Sequence, residues 1–138
     1  MEIAFVKGQF KIKGKTGSVL IGDGKVNIES DNNFVVDSAG EFEVGGVSVI
    51  GLGGRAYVIE LDGLRICTLE NKLTDAQLSD AGAIDITVSQ TGDMEVIKPI
   101  DPWVAVTTAK VSGVEGVAKY VITKDKLPTE FATVWLTS

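Results

Sequence analysis

Histidine is missing from this 138-residue chain altogether, and cysteine occurs once, at Cys67. The first absence excludes Ser-His and Cys-His nucleophile pairs and most zinc enzymes, which depend on imidazole as base or ligand. The second excludes an internal disulfide and any multi-thiolate metal site. Long apolar runs are missing too. The chain's apolar runs, such as Tyr57-Val58-Ile59, fall far short of the roughly 20 residues that span a bilayer. No basic segment followed by an apolar one opens the chain, so no signal peptide is expected, and with a free thiol the expected location is the cytoplasm. Thirteen Lys and Arg against nineteen Asp and Glu give a net charge of −6. That balance argues against non-specific partners such as nucleic acid or an anionic membrane.

What is present is a series of short strands and glycine turns. The length suits one domain over residues 1–138. Phe10 and Ile12 alternate with Lys11 and Lys13, as in a half-buried strand. "VLIGDGKVNIE" predicts a hairpin through Gly22-Asp23-Gly24, "FEVGGVSV" one through Gly45-Gly46, and "YVIELDGLRICTL" one through Asp62-Gly63. Further strands are expected at Ile84–Val88, Met94–Ile97, Val104–Thr107, Tyr120–Thr123 and Thr133–Leu136. The 16 glycines serve turns, since neither a P-loop nor a strand-GxGxxG-helix context occurs. One helix is clear: Thr74 caps it, Gln77 completes a capping box, Leu73 and Leu78 form a staple, and Gly82 stops it. A second turn is expected near Pro128, over Thr129, Glu130 and Phe131.

Several runs are apolar at successive positions, among them Val19–Ile21, Phe34–Val36, Tyr57–Ile59 and Val134–Leu136. Such strands have both faces covered. One short helix cannot cover the outer faces of two sheets, so a second copy of the chain is expected to do so. The expected partner is therefore the chain itself, in a homo-oligomer built on sheet faces or edges.

Cys67 alternates with Leu64 and Ile66 and is expected to be a small core residue, although Arg65 lies on its own face of the strand. Carboxylates at Asp23, Asp31, Asp37, Glu41, Glu43, Asp62, Glu70 and Asp93 offer a different chemistry, oxygen-ligated Mg²⁺ or Ca²⁺, but no dense acidic motif gathers them. Trp103 and Trp135 are candidate stacking platforms, with Trp103, after Pro102 at a strand start, the better candidate for binding a carbohydrate or protein.

The segments Ala39–Gly51 and Tyr57–Leu78 resemble the metallo-β-lactamase-fold hydrolases, and most closely the branch that contains the ascorbate-phosphate lactonases. Gly8–Gly22 is similar to that family's first hairpin and Ala83–Val88 to a later strand. The resemblance implies two packed sheets with helices outside, and hydrolysis by one or two zinc or manganese ions. Where the family carries ligands, this chain does not. Its His-x-His-x-Asp-His loop would follow Val26–Ser30, but Ser30 runs into Asp31-Asn32-Asn33. Thr68 stands for the histidine after Arg-Ile-Cys, and Glu70-Asn71 for the following Gly-Asp. Thr107, Thr108 and Ala109 stand where the last histidine belongs, and Gly8-Gln9 where Gly-His belongs. The helix expected between Gly92 and Pro102 is replaced by "DMEVIKPID".

The expected fold is therefore α+β and β-rich, a reduced metallo-β-lactamase-like two-sheet sandwich with most outer helices lost. The expected function is that of a catalytically inactive, metal-free protein without cofactors. Gln9, Ser30, Thr68, Glu70, Thr108 and Ala109 would be vestigial-site positions. The role would be structural and self-assembling, or the binding of a ligand or protein, with Trp103 expected near the emptied cleft. The alternatives are a carboxylate-based Mg²⁺ or Ca²⁺ hydrolase and a small carbohydrate- or protein-binding module.

Overall fold

The computed structural model describes residues 1–30 and 32–138, so Asp31 lies outside the described residues. Two sheets pack face to face. The first is antiparallel throughout: β13 (Lys119–Val121), β1 (Glu2–Val6), β2 (Gln9–Lys13), β3 (Ser18–Gly22), β4 (Lys25–Glu29) and β5 (Phe34–Val36), in that spatial order. The second has eight strands: β12 (Gly116–Val117), β14 (Ala132–Leu136), β11 (Val104–Thr107), β10 (Ile86–Ser89), β9 (Leu64–Thr68), β8 (Ala56–Leu61), β7 (Val47–Gly53) and β6 (Gly40–Val44). Strands β9, β10, β11, β14 and β12 run parallel, while β6 to β9 form an antiparallel meander.

The hairpins form because their turn residues tolerate positive φ. Asp23 and Gly24 sit at φ 52° and 70°, and Asp62 and Gly63 at 54° and 75°. Two successive left-handed residues make the type I′ turn whose twist matches paired strands. Asp62 also links the two sheets, because both carboxylate oxygens accept from the Lys15 amide at 3.0 Å.

The main core lies between the sheets. Ile12, Val19, Val26, Ile59, Ile66 and Ile86 are fully buried there. A second cluster covers the outer face of the larger sheet. Helix α1 (Asp75–Ala81) and helix α2 (Met94–Ile97), continued by a 3-10 turn over Lys98–Ile100, supply Ala81, Ile97 and Ile100 against Val58, Cys67 and Ala105. Thr74 and Gln77 make the expected capping box on α1, and the Gly82 amide closes its end on Leu78 O.

Several expectations are corrected. Met94–Ile97 is a helix and not a strand, so the outer helix between Gly92 and Pro102 is shortened and not lost. The Asp93 carboxylate caps it at the Glu95 amide, and Met94 and Ile97, three residues apart, share its buried side. The turn expected at Pro128 comes earlier, as a 3-10 turn over Lys124–Lys126. Strand β1, unanticipated, pairs with β2 and β13.

Phe34–Val36 is not covered on both faces. As the edge strand β5 it leaves Phe34 40% and Val35 51% exposed. Tyr57–Ile59 is buried on both faces, but by the chain's own core and helices. The outer face of the smaller sheet carries Lys11, Lys13, Lys25 and Glu29, and an antiparallel sheet patterned this way can face water.

Candidate functional site

The parallel strands of the larger sheet end together at one pole of the sandwich. Register places Val88 beside Thr68 and Ser89 beside Thr107. Ligands of parallel sheets gather at such carboxyl ends. Here a cleft of about 280 Å³ opens between those ends and the β3–β4 turn of the opposite sheet. Phe10, Ile21, Tyr57 and Leu69 give it apolar walls. Thr68 lies inside, and Asp23, Lys25, Arg55, Glu70 and Gln90 line it as well.

Arg55 spans the opening. It follows Gly53 and Gly54, and all three have positive φ, which turns the chain back over the cleft. The turn is held from outside, where the Gln77 amide donates to Gly53 O at 2.9 Å. One Arg55 amino group donates to the Glu70 carboxylate at 3.2 Å and the other to Asp23 O at 3.1 Å. Both partners of the ion pair are about half exposed, so it is weak and exchangeable. The Tyr57 hydroxyl donates to Gly24 O at 2.6 Å. Burial first, then the charge of Asp37, raises the Tyr57 pKa above its ordinary value and keeps the phenol a donor.

The hydroxyls at the strand ends are mostly engaged by the backbone. Ser89 donates to Leu69 O at 2.9 Å and accepts from the Thr91 amide. Thr107 donates to Thr91 O at 3.0 Å and accepts from the Ala109 amide. These bonds tie together the loops that follow β9, β10 and β11.

Of the six vestigial-site positions, Thr68 and Glu70 line this cleft. Gln9 packs beside Gly22 in its wall. Thr108 and Ala109 follow β11 at the same pole, where Ala109 is bonded to Thr107, but neither lines the cleft. Ser30 is at the far end of β4 from the Asp23-Gly24 turn, where its hydroxyl donates to Asn32 O. Trp103 is not near the cleft. It precedes β11, at the pole opposite Thr107, and is 45% exposed. Trp135 is half-buried, and its ring packs over Gly116. Arg55, Tyr57 and Lys25 escaped the sequence reading. A charged residue directly after Gly53-Gly54 at a hairpin tip was the available signal for Arg55.

Cys67 is fully buried on the helix side of β9. Burial pushes its thiol up to about 12, against the lesser pull of Arg65, so it is protonated and unreactive near neutral pH. Arg65 is occupied elsewhere. It donates to Ala81 O and Ala83 O at the end of α1, and its Nε lies 3.3 Å from the Glu60 carboxylate.

Among the described residues, only Asp23 and Glu70 of the candidate carboxylates line the cleft, and no third joins them there. Asp62 holds the Lys15 amide, Asp93 caps α2, Asp23 sits in a turn, and Glu41 and Glu43 face outward on β6. Among the described residues no group of three His, Cys, Asp or Glu side chains could hold a metal ion. Nor do the residues of the cleft fit zinc. The cleft holds no imidazole or thiolate, its Ser89 hydroxyl is committed to a carbonyl like that of the neighbouring Thr107, and a neutral hydroxyl is a poor substitute for imidazole. Among the described residues no helix is long and apolar enough to cross a membrane.

No protein-family model matches the sequence, and no curated protein is similar to it. The chain is similar in structure to a Thermotoga maritima protein whose crystal structure is assigned as a Zn-dependent hydrolase of the metallo-β-lactamase superfamily. The TM-score is 0.74 at 18% sequence identity, covering 99% of this chain and 98% of that one. The likeness shows the fold: a β-rich, two-sheet, metallo-β-lactamase-like architecture with few helices.

Proposed function

We propose that this chain is a degenerate, metal-free and non-hydrolytic relative of the lactonase-like branch of that fold, with its strand-end cleft kept for binding. One observation carries the reading. Ser89 and Thr107, at the strand ends where such a hydrolase needs metal donors, spend their hydroxyls on Leu69 O and Thr91 O. A group already paired with a carbonyl that is buried, as at Leu69, or partly buried, as at Thr91, is costly to withdraw, because the carbonyl would be left unsatisfied. The test is metal analysis by mass spectrometry after incubation with Zn²⁺ and Mn²⁺, alongside lactone, ester and phosphodiester hydrolysis. The expected result is no stoichiometric metal and no turnover above buffer. Retained metal with metal-dependent turnover overturns the reading.

The same reading includes self-assembly through a sheet edge. Strand β6 carries the outward Glu41 and Glu43, which repel a like copy. Strand β5 is an uncharged edge with Phe34 and Val35 exposed, longer than the two-residue edge strand β12. Light scattering at micromolar concentration is expected to give a dimer or larger, and Val35→Lys a monomer. A wild-type monomer removes the assembly proposal and leaves the binding one standing.

A further inference from the structure

Thr68 is a deep polar group of the cleft that the protein does not use. It is 6% exposed and lies on the same side of β9 as the core residues Leu64 and Ile66. It lines the cleft, and its hydroxyl makes no hydrogen bond among the described residues, unlike those of Ser89 and Thr107. This hydroxyl opens onto the cleft and is free to bond a group that fills it.

The surroundings specify what that partner belongs to. Phe10, Ile21 and Leu69 give apolar contact around it. At the mouth stands Arg55, whose fork can hold a carboxylate by two parallel bonds. Its present carboxylate, Glu70, is a half-exposed side chain that a ligand can displace. Lys25 is on the same rim and makes no ion pair among the described residues. Two further negative charges oppose them: Asp23 on the rim, whose backbone carbonyl accepts from Arg55, and Asp37, whose charge reaches Tyr57. The cleft's 280 Å³ is at the small end for ligand sites.

We infer that the cleft binds a small hydroxycarboxylic acid. The carboxylate sits on Arg55 in place of Glu70, with Lys25 alongside. A compact apolar body lies against Phe10, Ile21 and Leu69, and the hydroxyl bonds Thr68. This assignment rests on the binding role proposed above. It is not tied to the mechanism of the hydrolases, because no bond is broken and no metal takes part.

Isotope-labelled protein titrated with 2-hydroxyisovalerate tests it by NMR. Isovalerate lacks the hydroxyl, and 3-methylbutane-1,2-diol lacks the carboxylate. The hydroxy acid is expected to shift the amides of Gly24, Thr68 and Gln90, with a dissociation constant of roughly a millimolar or below, as suits a ligand of this size. Each comparator is expected to bind about tenfold more weakly, the ordinary worth of one good hydrogen bond or charge contact. Thr68→Val, nearly isosteric, should level the two acids while keeping the acid-over-diol preference. Glu70→Gln should tighten both acids severalfold by freeing Arg55, a gain that damage to the fold cannot produce. Equal binding of acid and diol overturns the inference. So does a tenfold hydroxyl effect that survives Thr68→Val, or a titration that leaves the cleft amides unmoved. A null titration of metal-free, inactive protein overturns this inference and leaves the non-hydrolytic reading standing. Bound metal with turnover rejects the non-hydrolytic reading, whatever the titration gives.

Discussion

Ile66→Ala is expected to lower stability by about 3–4 kcal/mol, near the middle of the range for removing a large aliphatic side chain from a tight core. Ile66 is fully buried at the centre of the larger sheet. Its backbone pairs with Ile59 on β8 and Ile86 on β10, both also fully buried. Its side chain faces the smaller sheet with Ile12, Val19 and Val26 in the same cluster. The hole left by alanine is therefore walled by two sheets whose strands are fixed by hydrogen bonds on both sides. Walls that cannot collapse make the cavity term large. Against a total of about 5–15 kcal/mol, this is a large fraction. The melting temperature should fall by about 10 °C for a chain of this size. Calorimetry and urea unfolding measure it, with Val121→Ala as the surface control. Val121 is 62% exposed, and its change should be within about 0.5 kcal/mol. A loss at Ile66 as small as that at Val121 would mean that the two sheets do not meet as described.

The parts of this arrangement that were legible in the sequence are those set by neighbours in the chain. Thr74 and Gln77 are three apart, so their reciprocal caps can be read directly and were found in place. The Asp-Gly and Gly-Gly turns were legible for the same reason. Segment 94–100 was not. Met94 and Val96 suggest a strand, while Met94 and Ile97 suggest a helix, and four residues cannot separate the two periods. Asp93 decides it by capping. Coverage of the larger sheet was misjudged accordingly, since α2 and its 3-10 extension supply the surface that a second copy seemed needed to provide.

The cleft shows the same division. Thr68 was found through the resemblance of its flanking residues, which are adjacent in sequence. Arg55 meets Glu70 by continuing the β8–β9 register beyond Tyr57 and Thr68, which the Asp62-Gly63 hairpin already implied, but it meets Asp23, 32 positions away, only because the two sheets pack. Trp103 was placed at the wrong pole because its end of β11 depends on strand direction. β11 runs parallel to β9, so its start lies opposite the end that carries Thr68. Which hydroxyls are free and which are spent is likewise a tertiary fact.

Gly51→Ala should cost about 3 kcal/mol, at the upper end of overpacking effects, and the reason lies in how the chain passes between its sheets. The Asp37–Ala39 segment connects β5 of one sheet to β6 of the other. Gly51, on β7, is buried beneath that crossing and pairs with Gly40 and Tyr57. A Cβ there would fall on the Ser38 carbonyl oxygen, with the carbonyl carbon at 2.9 Å and Ala39 Cα at 3.0 Å. These are backbone atoms, so no side-chain rotation relieves the overlap. Either the crossing lifts, drawing β6 with it, or β7 shifts away from β8. Gly53 gives the contrast. A Cβ there meets nothing within 4 Å, and its φ of 84° is the sole difficulty. Gly53→Ala should therefore cost only the left-handed penalty of about 1–2 kcal/mol. Urea unfolding of the two variants side by side separates the causes, and amide exchange locates them. Gly51→Ala should lower protection across β6 and β7, whereas Gly53→Ala should lower it only around the Gly54-Arg55 turn. If Gly53→Ala proved the more damaging, β7 would be limited by backbone conformation and not by the crossing packed above it.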